Sequence, residues 1–507
     1  MFVASTEHGT TRRITNTPEQ ERSVSFSPDG RSLLYASERE GSWNLYRTDR
    51  TDDKEPAFFN ATALKESVVL TTPAEEFQPH FSPDGKEVAY LEERTTLKVL
   101  NLASGASRTV LPGELNYSYA DGDQWYEWSP DGRGFTVQFL SPTRWSSEVG
   151  VVPASGQGPL VNITKSGYEE YQPHWVGKGE VLIWATDRMG PRSHSGDSRE
   201  YDVYAALLTG KAWDRFRLDE AAFDQLKARE KDEDKAKGPD KGKAGDKARE
   251  TGKDTGKDEK VGVTPKLPDP VAIEFDGLDD RIVRLSMHSA DLAAAAVTPD
   301  AETLVYLAKF EKGYNLWKYL PRSKDIKLVA KLEADEPADL VLDREGKKAF
   351  VLAGDHLVTV ELESGKTTPI KASARLELRA ADERAYLFEH AWRETLKKFY
   401  VETMHGVDWV AMKKAYARFL PFIDNNRDFA ELVSEMQGEL NASHTGGRFR
   451  PKRLDGDATA ALAFFPDPAH TGDGVRILEI IDGSPLRQAG SKVRAGVVIE
   501  AIDGVRV

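Results

Sequence analysis

A four-residue reverse turn recurs through the first 370 residues, and it restricts the possible folds more than any other feature. Its clear copies are Ser27-Pro28-Asp29-Gly30, Ser82-Pro83-Asp84-Gly85 and Ser129-Pro130-Asp131-Gly132. Pro fixes φ at the second position of a tight turn and Gly accepts a positive φ, so the tetrapeptide reverses the chain. Degenerate copies are Val176-Gly177-Lys178-Gly179, Thr298-Pro299-Asp300 and Asp343-Arg344-Glu345-Gly346. After the turns come runs such as Leu33-Leu34-Tyr35-Ala36, Val88-Ala89-Tyr90-Leu91 and Leu304-Val305-Tyr306-Leu307. Rich in β-branched and aromatic residues and bounded by turn formers, they read as strands.

The clear copies stand 55 and then 47 residues apart, close to the roughly 40–50 residues of a four-stranded propeller blade. A β-sandwich does not repeat its sequence at such a period. The chain is therefore expected to be mainly β, with a propeller over residues 1–375. Six copies are visible, and the segment Phe2-Val3-Ala4-Ser5 to Arg13-Ile14 reads as the closing strand of another blade. Seven blades are expected, with six as the alternative, and the natural N-terminus is expected to lie further upstream. The repeats resemble those of tricorn and TolB-type propellers, whose Ser-Pro-Asp-Gly turn follows an aromatic residue.

One stretch breaks the pattern. Residues 219–260 are dominated by Lys, Asp, Glu, Gly and Ala. With too little apolar surface to offset chain ordering, they are expected to form a disordered or transiently helical insertion.

After residue 376 the apolar period changes from two to 3.6. Phe388, Trp392, Leu396 and Phe399 share one helical face, as do Trp409, Met412, Tyr416 and Phe419. A third helix is expected to start at Asp428, with Glu431 completing a capping box, and to carry Leu432, Val433, Met436 and Leu440. It runs into Leu440-Asn441-Ala442-Ser443-His444-Thr445-Gly446. A Ser-His dipeptide alone is weak, because neighbours in a chain rarely place hydroxyl and imidazole as nucleophile and base. Such helices ending in this motif resemble the first catalytic subdomain of tricorn proteases, assigned here to residues 376–455. The resemblance implies that His444 is the general base and that Ser443 holds its imidazole. It also implies a nucleophile, an oxyanion hole and an acidic partner beyond Val507, so this chain alone is expected not to hydrolyse peptides.

From Ala460 the pattern is β again: Val475 to Ile481, the turn Asp482-Gly483-Ser484-Pro485, a short helix Leu486 to Ala489, then Val497 to Ile502 and the hairpin signal Asp503-Gly504. This series resembles the PDZ modules of bacterial processing proteases, here truncated over 456–507. Ala463 stands where that family commonly has Gly, and Val497 stands in place of its usual Asp.

Composition excludes several classes. There is no cysteine, which removes disulfides, thiolate catalysis and zinc–thiolate sites. The formal charge of −14 disfavours a phosphate backbone or anionic membrane as partner, and no apolar run reaches the roughly 18 residues that span a bilayer. His80 and His174 fall in matching segments, Gln78-Pro79-His80-Phe81 and Gln172-Pro173-His174-Trp175, and mark the repeat; no metal or other cofactor is expected. The leading expectation is a tricorn-type serine peptidase acting on short peptides, with the propeller gating substrate. The alternative is a non-catalytic propeller and PDZ scaffold. The resemblance further implies a homo-oligomer, a hexamer, in the cytoplasm, or in the periplasm for exported relatives.

Overall fold

A computed structural model describes residues 1–52, 54–140, 143, 145–191, 199–236, 267–310, 312–354, 356–451, 461–488 and 490–507. The chain divides into two compact units, Met1–Leu376 and Glu377–Val507. Among the described residues no helix is long and apolar enough to cross a membrane.

Among its described residues the first unit holds six four-stranded antiparallel sheets in chain order, the arrangement of propeller blades, and a two-stranded pair, Phe2–Ala4 with Thr11–Arg13. The first strands of sheets one to six are Glu21–Phe26, Glu76–Phe81, Tyr126–Trp128, Glu170–Val176, Asp291–Val297 and Pro337–Leu342. Within each sheet the strands follow one another in sequence order, so each blade folds from local contacts. Apolar clusters lie between consecutive sheets. Leu34, Val88, Tyr90 and Phe135 belong to one that joins sheets one to three, and Leu307, Val351 and Val360 to one that joins sheets five and six.

The repeated turn sits between the first and second strands of each sheet, and its serine explains its recurrence. Ser27 Oγ donates to Asp29 Oδ1 (2.6 Å) and accepts from Ser32 N (2.9 Å), while Asp29 Oδ1 accepts from Arg31 N (3.0 Å). The same set recurs at Ser82/Asp84 and Ser129/Asp131, and with a threonine at Thr298/Asp300. Burial opposes ionisation of Asp29, yet the Ser27 hydroxyl and the Arg31 amide hold its carboxyl below the ordinary value. The turns also touch in succession: a Cβ on Gly85 would stand 3.6 Å from Pro28, and one on Gly132 would stand 3.5 Å from Pro83.

Side chains on the first strands, or on the residues that lead into them, tie each sheet to the next. Ser25 Oγ donates to Pro79 O (3.0 Å), Gln78 Nε2 to Gln124 O (2.7 Å) and Trp125 Nε1 to Pro173 O (2.9 Å). Each bond joins one sheet to the next.

The charged insertion is more ordered at its start than its composition predicted. Helix α1 covers Gly210–Arg217 and α2 covers Glu220–Ala236; the remainder, 237–260, lies outside the described residues. Phe223 is buried. The Arg322 guanidinium lies 3.5 Å from the Phe223 ring centroid and donates to Leu218 O (2.8 Å) and Arg215 O (3.1 Å). One aromatic anchor and one cation, contributed by sheet five, supply what the local sequence lacks.

Sheet two carries a buried acid that its sister sheets neutralise. Glu21 and Glu170 open sheets one and four, stand opposite Ser37 and Thr186, and accept from Arg39 (3.3 Å) and Arg188 (2.8 Å). Glu76 opens sheet two opposite Glu92, while the matching Arg94 turns instead to Glu75 and Asp121, both at 2.8 Å. Desolvation, and then Glu92, Glu93 and Glu75, push the Glu76 carboxyl up to about 7, against a hydrogen bond from Thr72. The unfolded carboxyl titrates at its ordinary value of 4.5. The folded state therefore holds the extra proton and loses stability as pH rises from 4.5 to 7. Glu76→Gln is expected to raise the unfolding free energy of the first unit, measured by urea denaturation at pH 8, by on the order of 1–2 kcal/mol after solvent screening, and to leave it unchanged at pH 4.

Among its described residues the second unit contains three α-helices, α3 (Ala380–Lys398), α4 (Trp409–Ala417) and α5 (Asn426–Gly438). Its three-stranded sheet is formed by Phe464–Pro466, Val475–Ile480 and Val498–Ile499, and a hairpin pairs Ala501–Ile502 with Val505–Arg506. Helix α5 starts earlier than expected. Asn425, not Asp428, is the cap, its Oδ1 accepting from Arg427 N (3.0 Å) and Asp428 N (2.9 Å). The Asp503-Gly504 hairpin has positive φ at both residues, as its sequence signals. Ser484 Oγ donates to Leu462 O (2.7 Å), which fixes the chain just before Ala463. Ala463 itself has φ +50°, a conformation that costs an L-residue about 1 kcal/mol or more. Ala463→Gly should therefore stabilise the second unit by roughly 0.5–1 kcal/mol in thermal melts, unlike most Ala-to-Gly changes.

Candidate functional site

The helices are locked together before the Ser-His motif is reached. Trp392 Nε1 donates to Trp409 O (2.9 Å) and Trp409 Nε1 donates to Trp392 O (3.0 Å), a reciprocal bond between α3 and α4. Phe388, Met404, Trp409, Leu432, Met436 and Leu440 form the core beneath. Leu440 and Met436 are fully buried, so the end of α5 is anchored.

The segment 441–447 leaves that anchored end and is held at both of its own ends. At the start, His405 Nδ1 lies 2.8 Å from Leu440 O, and His405 Nε2 lies 2.6 Å from Tyr400 Oη. A carbonyl only accepts, so Nδ1 carries the proton and Nε2 receives the Tyr400 hydroxyl. Met404 and His405 both adopt left-handed backbone, φ +49° and +54°, to aim that ring. At the far end, Gln437 Oε1 accepts from Gly446 N (2.6 Å), and Ser434 Oγ accepts from Gly447 N and donates to Gly447 O, both at 2.8 Å. Helix α5 thus folds its own side chains back onto the loop that follows it.

Ser443 and His444 project from this loop into solvent. His444 has φ +62°, a sparsely populated conformation of the kind found at functional sites. Among the described residues neither side chain has a hydrogen-bond partner, and no hydrogen bond joins one to the other. The structure places the two residues that the resemblance singled out side by side on this loop.

The two repeat histidines have different surroundings. His80 is exposed, with the Tyr126 ring edge-on against it at 5.5 Å. His174 Nδ1 lies 2.8 Å from Glu127 Oε2 across the junction of sheets three and four, with the Trp125 ring edge-on against it at 4.9 Å. Sequence reading did not pair Glu127 with His174. The signal was available, because Glu127 and His174 both occupy the position just before the aromatic residue that leads into the turn.

Residues 380–438, spanning α3 to α5, match the model of the tricorn protease C1 domain. Over this segment the chain is similar to that domain. Its matched part ends at Gly438, and Ser443 and His444 follow directly on the clamped loop. The crystal structure of the tricorn protease aligns with 97% of this chain at 15% identity and a TM-score of 0.57, a likeness of fold. The chain spans 45% of that protein's length. Structures of oligogalacturonate lyase from Vibrio parahaemolyticus (12% identity, TM-score 0.45, 76% of this chain and 88% of that one) and TolB from Acinetobacter baumannii (13%, 0.36, 71% and 65%) also align. Among curated proteins none matches the chain by sequence.

Removing either clamp has a local readout. Ser434→Ala is expected to raise amide hydrogen exchange at Gly446 and Gly447 about fivefold, and His405→Ala to do the same at Asn441, for the loss of about 1 kcal/mol of hydrogen bonding. Unchanged exchange in both variants would remove the clamps from the account.

Proposed function

We propose that this chain belongs to a tricorn-type serine peptidase acting on short peptides, with His444 as its general base. The observation that carries the reading is the C1 domain leading within six residues into an exposed histidine on a clamped, left-handed loop. A serine hydroxyl on a segment docking against residues 441–447 would give its proton to the His444 ring, and Ser443 would orient that ring once the segment is in place. Both side chains are free to accept such partners, and the backbone that presents them is already fixed.

The same reading extends to architecture. Residues 1–375 form a seven-bladed propeller that gates substrate, 376–455 the first catalytic subdomain and 456–507 a PDZ-type module; the boundary at 455/456 lies outside the described residues. Two observations support a seventh blade between sheets one and six. Ser373 N donates to Thr11 Oγ1 (3.1 Å), which ties the chain leaving sheet six to the two-stranded pair. Gly30, alone among the three Ser-Pro-Asp-Gly copies, has no neighbour within 4 Å where the others meet a preceding proline. The left-handed Ala463 supports the PDZ reading, since it occupies the position where that family commonly has Gly. Peptides are the proposed substrates, and a homo-oligomer the proposed state.

The test is the protein expressed from its complete gene and assayed on a fluorogenic peptide. His444→Ala is expected to lower kcat by 10³-fold or more, and Ser443→Ala by about tenfold with KM nearly unchanged. Equal turnover by the His444→Ala form overturns the role given to His444, and absence of any peptidase activity favours the scaffold reading.

A further inference from the structure

An exposed aromatic cluster on the first unit is assembled from two separate connections. Tyr117 and Tyr119 lie between the last strand of sheet two and the first strand of sheet three, and Trp145 between the second and third strands of sheet three. The Tyr117 ring meets Tyr119 edge-to-face at 4.7 Å and Trp145 at 5.0 Å. Yet Tyr117, Tyr119 and Trp145 remain 48%, 74% and 67% exposed. Large aromatic rings gathered together in water, rather than scattered singly, mark an interaction surface.

The backbone that presents the two tyrosines is fixed before any ligand arrives. Arg94 Nε donates to Asp121 Oδ1 (2.8 Å), and Asn116 Nδ2 to Thr95 O (3.2 Å). Asp123 Oδ2 accepts from the amides of Tyr119 and Ala120, and Gln124 Nε2 donates to Tyr117 O (2.9 Å) and Asp123 Oδ1 (2.7 Å). These bonds also engage the carboxylates of the loop. Asp121 faces Arg94 and Arg22, and both oxygens of Asp123 are occupied. The donors on the rings are left over. Among the described residues the Tyr117 and Tyr119 hydroxyls and Trp145 Nε1 have no hydrogen-bond partner.

That combination selects a ligand. The cluster offers ring faces and three N–H or O–H donors, with no uncommitted carboxylate on its loop to receive a donor in return. A polyproline II segment is the complement. Its carbonyls are unpaired and accept, its prolines carry no N–H, and its rings pack on aromatic faces. Rings inclined at 71° and 63° enclose notches for such a ridge, whereas a sugar stacks best on one flat platform and brings hydroxyl donors that need acceptors.

We propose that Tyr117, Tyr119 and Trp145 form a docking surface for a proline-rich segment of a partner protein, bound in the polyproline II conformation. The surface lies within the first unit and is independent of His444. Its rigid loop leaves little to order on binding, because the ligand is also stiff.

The test is calorimetric titration of the 507-residue chain with acetyl-octaproline amide, an acetylated Gly-Ser octapeptide amide and maltohexaose. The proline peptide is expected to bind roughly tenfold or more tightly than either of the others. Trp145→Ala and Tyr119→Ala should each weaken it by about tenfold, the loss expected of an aromatic anchor. Tyr117→Phe, which keeps the ring contacts and removes one donor, should weaken it about fivefold. Unchanged thermal melting in these exposed-site variants assigns the loss to the surface itself. Equal affinity for the two peptides, tighter binding of the oligosaccharide, no binding at millimolar concentration, or wild-type affinity in both alanine variants each overturn the proposal.

Discussion

A hydroxyl bonded to a carboxylate two residues along the chain is the interaction on which the first unit depends. In Ser27/Asp29, Ser82/Asp84, Ser129/Asp131 and Thr298/Asp300 it closes the turn between the first two strands. The hydroxyl also accepts from the amide five residues on, where the second strand begins, and so sets the register of the hairpin. Once that hairpin is placed, the remaining strands add in sequence order and the apolar faces pack against the next sheet. A chain of such units needs no long-range pairing to start each blade, which keeps the entropic cost of loop closure low.

That locality is why the sheets could be read from sequence. Every residue of the lock lies within six positions, so its pattern survives as Ser-Pro-Asp-Gly. Sheet six replaces the hydroxyl with the carboxylate of Asp343, which accepts from Lys348 N (3.0 Å), and sheet four departs further. Its turn, Val176 to Gly179, has neither hydroxyl nor carboxylate, and it closes as a short 3₁₀ turn with Lys178 at φ +59°. The strands on either side still identified it. Where long-range contacts decide, sequence reading fell short. Helix α2 is ordered by Arg322, roughly a hundred residues away, and no composition rule sees that contact. The start of α5 was misplaced because both Asn425 and Asp428 suit a cap, and only the backbone bonds choose between them.

The candidate site divides the same way. The Ser443-His444 pair was visible because it follows helices of a recognisable pattern. The groups that hold it were not. His405 lies 35 positions from the carbonyl it binds, and nothing in Met404-His405-Gly406 announces that a strained turn aims the ring there. Glu127 and His174 lie 47 positions apart, one repeat, and comparing equivalent positions between blades would have found them. Repeat architecture converts a distant contact into a comparison of matching sites.

The clamped loop has a consequence for association. Ordering a free backbone residue costs about 1–2 kcal/mol, and a seven-residue loop that became fixed only on docking would take that cost from the affinity of its partner. Here His405, Gln437 and Ser434 fix the loop as part of folding, while the side chains of Ser443 and His444 stay uncommitted. A segment that meets them has little backbone left to immobilise. Its on-rate should then be governed by diffusion and orientation, without a slow conformational step.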